Sequence, residues 1–149
     1  MLSFWLIAGA WDKAYEWTTL TAAERATIKS QYNAAGIKLM VSAFGATDVP
    51  TTSRLDPVTV ANNLAGWVKQ WGVDGVDVDY EVRAANFLLE KCETDVVDMQ
   101  DFGAMDSGTA EAWLISFTRQ LRAQLPANDY IITHARAYLV GLLCVRQHH

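Results

Sequence analysis

Four acidic residues are interleaved with valines in the run 72–81, and this run constrains the fold more than any other stretch. If the run is a β-strand, successive side chains point to opposite faces. One face then carries three carboxylates, from Asp77, Asp79 and Glu81. The other face carries Val76, Val78 and Tyr80. Because valines at this density are typical of a strand buried in a parallel sheet, the sequence predicts a carboxylate row on one face of a buried strand.

A row of carboxylates has a specific chemical use. Like charges held close together in a partly dry site raise the pKa of at least one group, which keeps a proton available near neutral pH for general acid catalysis. Glu81, the last acid of the row, is the natural proton donor. Two other interpretations are a loop that binds a divalent cation and an Asp-x-Asp metal site of the glycosyltransferase type. The valine pattern favours the buried strand over the loop. Nothing else in the chain supports the bound nucleotide that a glycosyltransferase-type site implies.

Read as D-G-x-D-x-D-x-E, the same run resembles the signature of family 18 glycoside hydrolases, the chitinases and their relatives. The matching residues are Asp74, Gly75, Asp77, Asp79 and Glu81. The resemblance implies a retaining reaction in which Glu81 protonates the glycosidic oxygen while the acetamido oxygen of the substrate attacks the anomeric carbon. It also implies that Asp79 orients the acetamido group, that Asp77 shares a proton with Asp79 and that Asp74 is structural.

The segment Ser42-Ala43-Phe44-Gly45 lies where this family carries S-x-G-G. Phe44 stands in place of the first of the paired glycines, which is a departure in local backbone shape. The resemblance implies a set of residues that bind substrate or support the acidic row. This set contains Ser42, Gly45, Asp74, Gly75, Tyr80 and Trp5.

Apolar runs alternate with amphipathic stretches through the rest of the chain. Strands are predicted at residues 2–7, 37–41 and 130–134, in addition to the acidic strand, and the first is expected to be buried on both faces. Helices are predicted at 24–35, from a capping box at Thr21, at the stretch beginning with Asp56-Pro57, and at 108–125. Four strands and three helices in this order indicate right-handed βαβ units around a parallel sheet.

Acids at the carboxyl end of a parallel strand fit an α/β fold of the (β/α)8 TIM-barrel type. Such a barrel takes about 250 residues, and the chain has 149. We therefore expect residues 1–149 to form a single partial catalytic domain with about half of the barrel strands.

Two stretches depart from the pattern of the fungal-type members that the chain otherwise resembles. The insert at 82–100 begins with Val82, whose codons start with GT, and ends with Gln100, whose codon can be CAG. It therefore resembles an unspliced intron that is kept in frame. The second stretch is the tail at 136–149. The atypical insert could equally form a short helix above the site, and the atypical tail is interpreted as a premature end of the domain.

Three aromatic residues, Trp11, Tyr15 and Trp17, are predicted to lie in a loop after the first strand. Aromatic rings beyond a barrel strand can stack on sugars, and they can equally be part of the core. Both interpretations stay open at this point.

A net charge of −5 without a run of Lys and Arg argues against nucleic acid or an anionic membrane as partner, whereas a neutral polysaccharide is compatible. Two cysteines give no metal spacing, and neither a metal nor another cofactor is predicted. The apolar N-terminal run lacks the basic start of a signal peptide and is predicted to be a strand, which leaves the compartment open. No run approaches the ~20 apolar residues of a membrane span.

The leading hypothesis is a chitinase-like hydrolase that cleaves polymers of β-1,4-linked N-acetylglucosamine, with Glu81 as general acid and base. An endo-β-N-acetylglucosaminidase would carry the same acids. A lectin-like carbohydrate-binding protein and an inactive fragment on the same scaffold are the non-enzymatic alternatives. The presence of Glu81 favours an enzyme over a lectin.

Overall fold

The computed structural model describes residues 1–80 and 108–135. The strands in these ranges are β1 (Leu2–Leu6), β2 (Gly9–Ala10), β3 (Met40–Phe44), β4 (Gly75–Asp79) and β5 (Ile131–His134). The helices are α1 (Asp12–Thr19), α2 (Ala22–Ala34), α3 (Pro57–Trp71) and α4 (Thr109–Gln124). Glu81, the insert at 82–100 and the tail at 136–149 lie outside the described residues.

The five strands form one sheet in the order β2-β1-β3-β4-β5. β2 is antiparallel to β1, whereas β1, β3, β4 and β5 run parallel to one another. Helices α3 and α4 pack against each other, and they follow β3 and precede β5 in the chain. This arrangement confirms the predicted α/β class with parallel strands connected by helices.

Two helices begin at side-chain caps that the sequence predicts, although α2 begins at Ala22 rather than at residue 24. Thr21 caps α2, because its Oγ1 accepts from Glu24 N at 3.3 Å while the Glu24 carboxylate accepts from Thr21 N at 2.7 Å. Asp56 caps α3 by accepting from Thr59 N at 2.8 Å, and Pro57 occupies the first turn. These caps satisfy backbone donors that have no partner inside the helix.

The core lies between the sheet and the helices α3 and α4. The two helices contribute buried apolar side chains at the predicted spacings, among them Val60, Leu64, Val68, Phe117 and Leu121. Val76 and Val78 of β4 are also buried. No helix within residues 1–80 and 108–135 is long and apolar enough to cross a membrane.

The prediction that β3 begins at residue 37 is wrong by three residues. Leu39 N donates to the Asp74 carboxylate at 2.8 Å, and Asp74 N donates to Leu39 O at 2.7 Å. These bonds hold the segment before Met40 outside the ladder, and Ile37 is half exposed. The strand instead extends to Phe44.

The start of the chain also differs from its prediction. β1 is not buried on both faces, since Trp5 is its one fully buried residue. The predicted loop is helix α1, which begins after Trp11 and buries Trp17. The Trp17 indole donates to Trp71 O at 3.0 Å, which makes it a core residue. Trp11 and Tyr15 are exposed, and a sugar-stacking role for these two rings stays a prediction.

Candidate active site

Strand β4 shows the alternation that the sequence predicts. Val76 and Val78 are buried toward the helices, while Asp77 and Asp79 are partly exposed on the opposite face. The two aspartates therefore share what we call the acidic face of the sheet. The third predicted carboxylate, Glu81, lies outside the described residues.

A polar row crosses the acidic face at the level of Asp77. Asp77 pairs with Ser42 of β3 on one side and with Thr133 of β5 on the other. Ser42 is buried, and the Thr133 hydroxyl donates to Asp77 Oδ1 at 2.5 Å. Ser42 was among the predicted site residues, whereas Thr133 was missed. The pairing of Thr133 with Asp77 depends on the register between β4 and β5, which cannot be predicted from the sequence of either strand.

Gly45 lies beside Asp79 at the carboxyl end of the sheet. Its N–H donates to Asp79 O at 2.9 Å, and its φ is +70°. A Cβ at this position would lie 3.2 Å from the ring of Phe4. Glycine is needed here because the backbone turns with positive φ and the Phe4 ring packs directly against it.

Phe44 keeps a backbone conformation suited to glycine although it is a bulky residue. By strand alternation its side chain would lie with Ser42 on the acidic face. Its φ of +80° turns the ring to the helix side instead, where it is fully buried. There it contacts the rings of Trp5, Tyr80, Trp113 and Phe117, with centroids 5.3 to 6.2 Å away. The departure from S-x-G-G thus leaves the acidic face beside Asp79 clear of the Phe44 ring.

Trp5 and Tyr80, two of the predicted site residues, lie on the helix side with Phe44. Each is 6% exposed. The Tyr80 hydroxyl is 2.6 Å from Thr51 Oγ1, and its ring stacks on Trp113 at 5.9 Å. Both rings are buried behind the acidic strand, and their role in binding substrate or supporting the acidic row stays a prediction.

Asp74 and Gly75 lie at the amino end of β4, away from Asp79. The Asp74 carboxylate accepts from Leu39 N and from Lys29 Nζ, both at 2.8 Å. At Gly75 a Cβ would overlap the Ile131 carbonyl, so glycine allows β4 and β5 to pair closely. These contacts connect Asp74 and Gly75 to the scaffold rather than to the acidic face.

A loop at residues 45–55 crosses the carboxyl end of the sheet and is bonded to both neighbouring strands. Asp48 Oδ2 accepts from Ile7 N at 2.8 Å beyond β1, and Thr51 bonds to Tyr80 beyond β4. The Trp113 indole donates to Leu55 O at 2.7 Å. Burial raises the pKa of the Asp48 carboxyl, and the hydrogen bond from Ile7 opposes that shift. Nothing in the sequence around Asp48 signals this contact.

His134 is adjacent to the polar row but belongs to the other face, because it pairs with Val78. Its Nε2 lies 3.4 Å from the Thr118 hydroxyl of α4. Partial burial lowers the pKa of His134, and the negative charge of Asp77 opposes that shift. Among the described residues no three His, Cys, Asp or Glu side chains form a group that could hold a metal ion.

A solved structure of a known enzyme resembles this arrangement. The crystal structure of a GH18 chitinase from Pseudoalteromonas aurantia is 29% identical to the chain, with a TM-score of 0.53. The match covers 77% of this chain and 36% of that one, so the chain spans about a third of the chitinase's length. No family model matches the chain, and no curated protein matches it. The fold is therefore GH18-like, and the predicted incomplete barrel is confirmed; the fungal type and the intron-like insert stay predictions.

Proposed function

We propose that the chain is part of a chitinase-like glycoside hydrolase that acts on polymers of β-1,4-linked N-acetylglucosamine. The observation that carries the proposal is the pair Asp77 and Asp79 on one face at the carboxyl end of β4. That end is where parallel barrels place their catalytic groups. The similarity to a GH18 chitinase supports the same substrate class.

In the proposed reaction the acetamido oxygen of the substrate attacks the anomeric carbon while the glycosidic bond breaks. Glu81 gives its proton to the leaving oxygen, and then accepts a proton from the water that opens the cyclic intermediate. Asp79 holds the acetamido group, which bears positive charge in the intermediate, and Asp77 shares a proton with Asp79. Ser42 of β3 supports Asp77, and Gly45, which directly follows β3, supports Asp79.

The first test is hydrolysis of fluorogenic chitobiose and chitotriose glycosides by the purified 149-residue chain. We expect turnover, and we expect Glu81→Gln to reduce kcat by at least about 100-fold because the amide cannot donate a proton to the leaving oxygen. Glu111→Gln makes the same change at an exposed position in the first turn of α4 and should leave the rate unchanged. Full activity of Glu81→Gln would contradict the assignment.

A binding measurement separates the alternatives. Titration of the chain with chitotriose in a calorimeter, under the same conditions, reports affinity without turnover. Binding without hydrolysis would favour the lectin-like protein, and absence of both would favour an inactive fragment. Release of intact glycans from an N-glycoprotein, with no action on chitotriose, would instead favour an endo-β-N-acetylglucosaminidase.

A further inference from the structure

Thr133 is a polar residue on the acidic face to which the reaction described above gives no role. It pairs directly with Asp77 across β4 and β5, and its hydroxyl donates to Asp77 Oδ1 at 2.5 Å. A hydroxyl bound to a carboxylate at this distance makes a strong, charge-assisted hydrogen bond. β5 therefore contributes a donor to the acidic row.

The hydrogen bond from Thr133 restricts rotation of the Asp77 carboxylate. The terminal torsion of an aspartate is broad, so a partly exposed carboxylate samples many orientations unless a neighbour holds it. Thr133 is a suitable holder because its branched side chain is stiff at χ1 and its strand is fixed by pairing with β4. Since Thr133 engages Oδ1 of Asp77, we assign the proton that the proposed reaction shares with Asp79 to Oδ2.

We propose that Thr133 is a positioning residue that fixes the orientation of the Asp77 carboxylate and, through it, the proton shared with Asp79. The catalytic part of this inference rests on the proposed function, whereas the orientation of Asp77 does not. Thr133 is exposed and adds no buried surface to the core, so its hydroxyl can be removed without opening a cavity.

The test compares three substitutions. Thr133→Val removes the hydroxyl and keeps the shape, and Thr133→Ser keeps the hydroxyl. Thr118→Val makes the matched change in α4, where the Thr118 hydroxyl lies 3.4 Å from His134 of β5. With chitotriose glycosides we expect Thr133→Val to lower kcat roughly 10- to 100-fold with little change in KM, as for loss of a hydrogen bond to a charged group. Thr133→Ser should recover most of the rate, and Thr118→Val should match the unmodified chain.

A second measurement does not depend on turnover. Three-bond couplings to the Asp77 β-protons, measured by NMR on the labelled full chain, report χ1, the torsion that places the carboxylate within reach of Thr133. We expect a single conformer in the unmodified chain and in Thr133→Ser, and averaged couplings in Thr133→Val. Unchanged couplings in Thr133→Val would overturn the inference, as would the same averaging in Thr118→Val.

The two measurements separate the inference from the proposed function. An inactive unmodified chain whose couplings average in Thr133→Val would count against the proposed function and leave the positioning of Asp77 supported. An active chain in which Thr133→Val retains the full rate would overturn the inference and leave the proposed function standing.

Discussion

Asp48 shows how a single carboxyl group makes the stability of this chain depend on pH. Burial raises its pKa above that of an unfolded aspartate, which is about 3.9. The folded chain therefore binds this proton more tightly than the unfolded chain does. The resulting stabilisation is complete below the unfolded pKa and is lost as the pH rises through the folded pKa.

We therefore predict that Asp48→Asn raises the melting temperature at pH 7. The amide oxygen can still accept from Ile7 N, and the cost of burying a charge is removed. Below about pH 4 the advantage should disappear, because Asp48 is then protonated and uncharged. Thermal unfolding followed at pH 3.5 and pH 7 measures both values.

Asp56 provides a control of opposite sign. Hydrogen bonds from Thr59 lower its pKa, so it stabilises the fold above the unfolded pKa and loses that contribution as the pH falls through the folded pKa. Asp56→Asn should accordingly reduce the melting temperature at pH 7. A lower melting temperature for Asp48→Asn at that pH would show that the Asp48 charge is not costly.

Some site residues could be predicted from the sequence and others could not. Asp77 and Asp79 follow from strand alternation, which is a local property of the chain. Thr133 and Asp48 depend on contacts with residues more than 40 positions away, Asp77 and Ile7. Such contacts follow from strand register and from the path of a loop, neither of which a single sequence specifies.

At the scale of elements, β3 ends at Phe44, a bulky residue in a backbone conformation that favours glycine. A non-glycine residue at positive φ costs about 1–3 kcal/mol, and Phe44 adopts a φ of +80°. The ring is fully buried among other aromatic side chains, and the burial offsets this cost.

We predict that Phe44→Gly, which brings the segment closer to S-x-G-G, destabilises the fold by about 2–4 kcal/mol. Loss of a buried Phe side chain costs about 3–5 kcal/mol through transfer and cavity terms, and relief of the backbone returns about 1 kcal/mol. Denaturant unfolding gives the change in free energy. Phe44→Leu, which keeps much of the volume, should be less damaging, and a gain in stability for Phe44→Gly would show that backbone strain dominates.

The helices show why local signals predict some boundaries and miss others. α2 and α3 begin at side-chain caps that are visible in the sequence, Thr21 and Asp56. α1 was missed because its N-cap, Trp11, offers no side-chain acceptor and its residues include aromatic and β-branched types with modest helix propensity. The burial of Trp17 against Trp71, distant in sequence, stabilises it.

At the scale of the whole molecule, length predicted the incomplete barrel. The chain spans 36% of the chitinase that it resembles, and the described strands form an open order of five rather than a closed ring. Length is a global property of the chain, so this prediction needed no contact information.

Net charge leads to a prediction at the same scale. The chain carries a net charge of −5, and the proposed substrate is neutral. Because long-range attraction between the two is absent, we expect kcat/KM for chitotriose glycosides to change less than about twofold between 50 and 500 mM NaCl. A steep fall with salt, of the kind that accompanies binding of polyanions, would contradict a neutral ligand.

The aromatic rings behind the acidic strand have a spectroscopic consequence. The Trp113 ring stacks with those of Tyr80 and Phe117, at interplanar angles of 26° and 12°. Rings held in fixed relative orientation give near-ultraviolet circular dichroism, which is lost when side-chain packing loosens even if helices remain. Tyr80 directly follows Asp79 in the chain. The near-ultraviolet signal therefore reports whether the acidic strand is packed against α4 before any sugar is added.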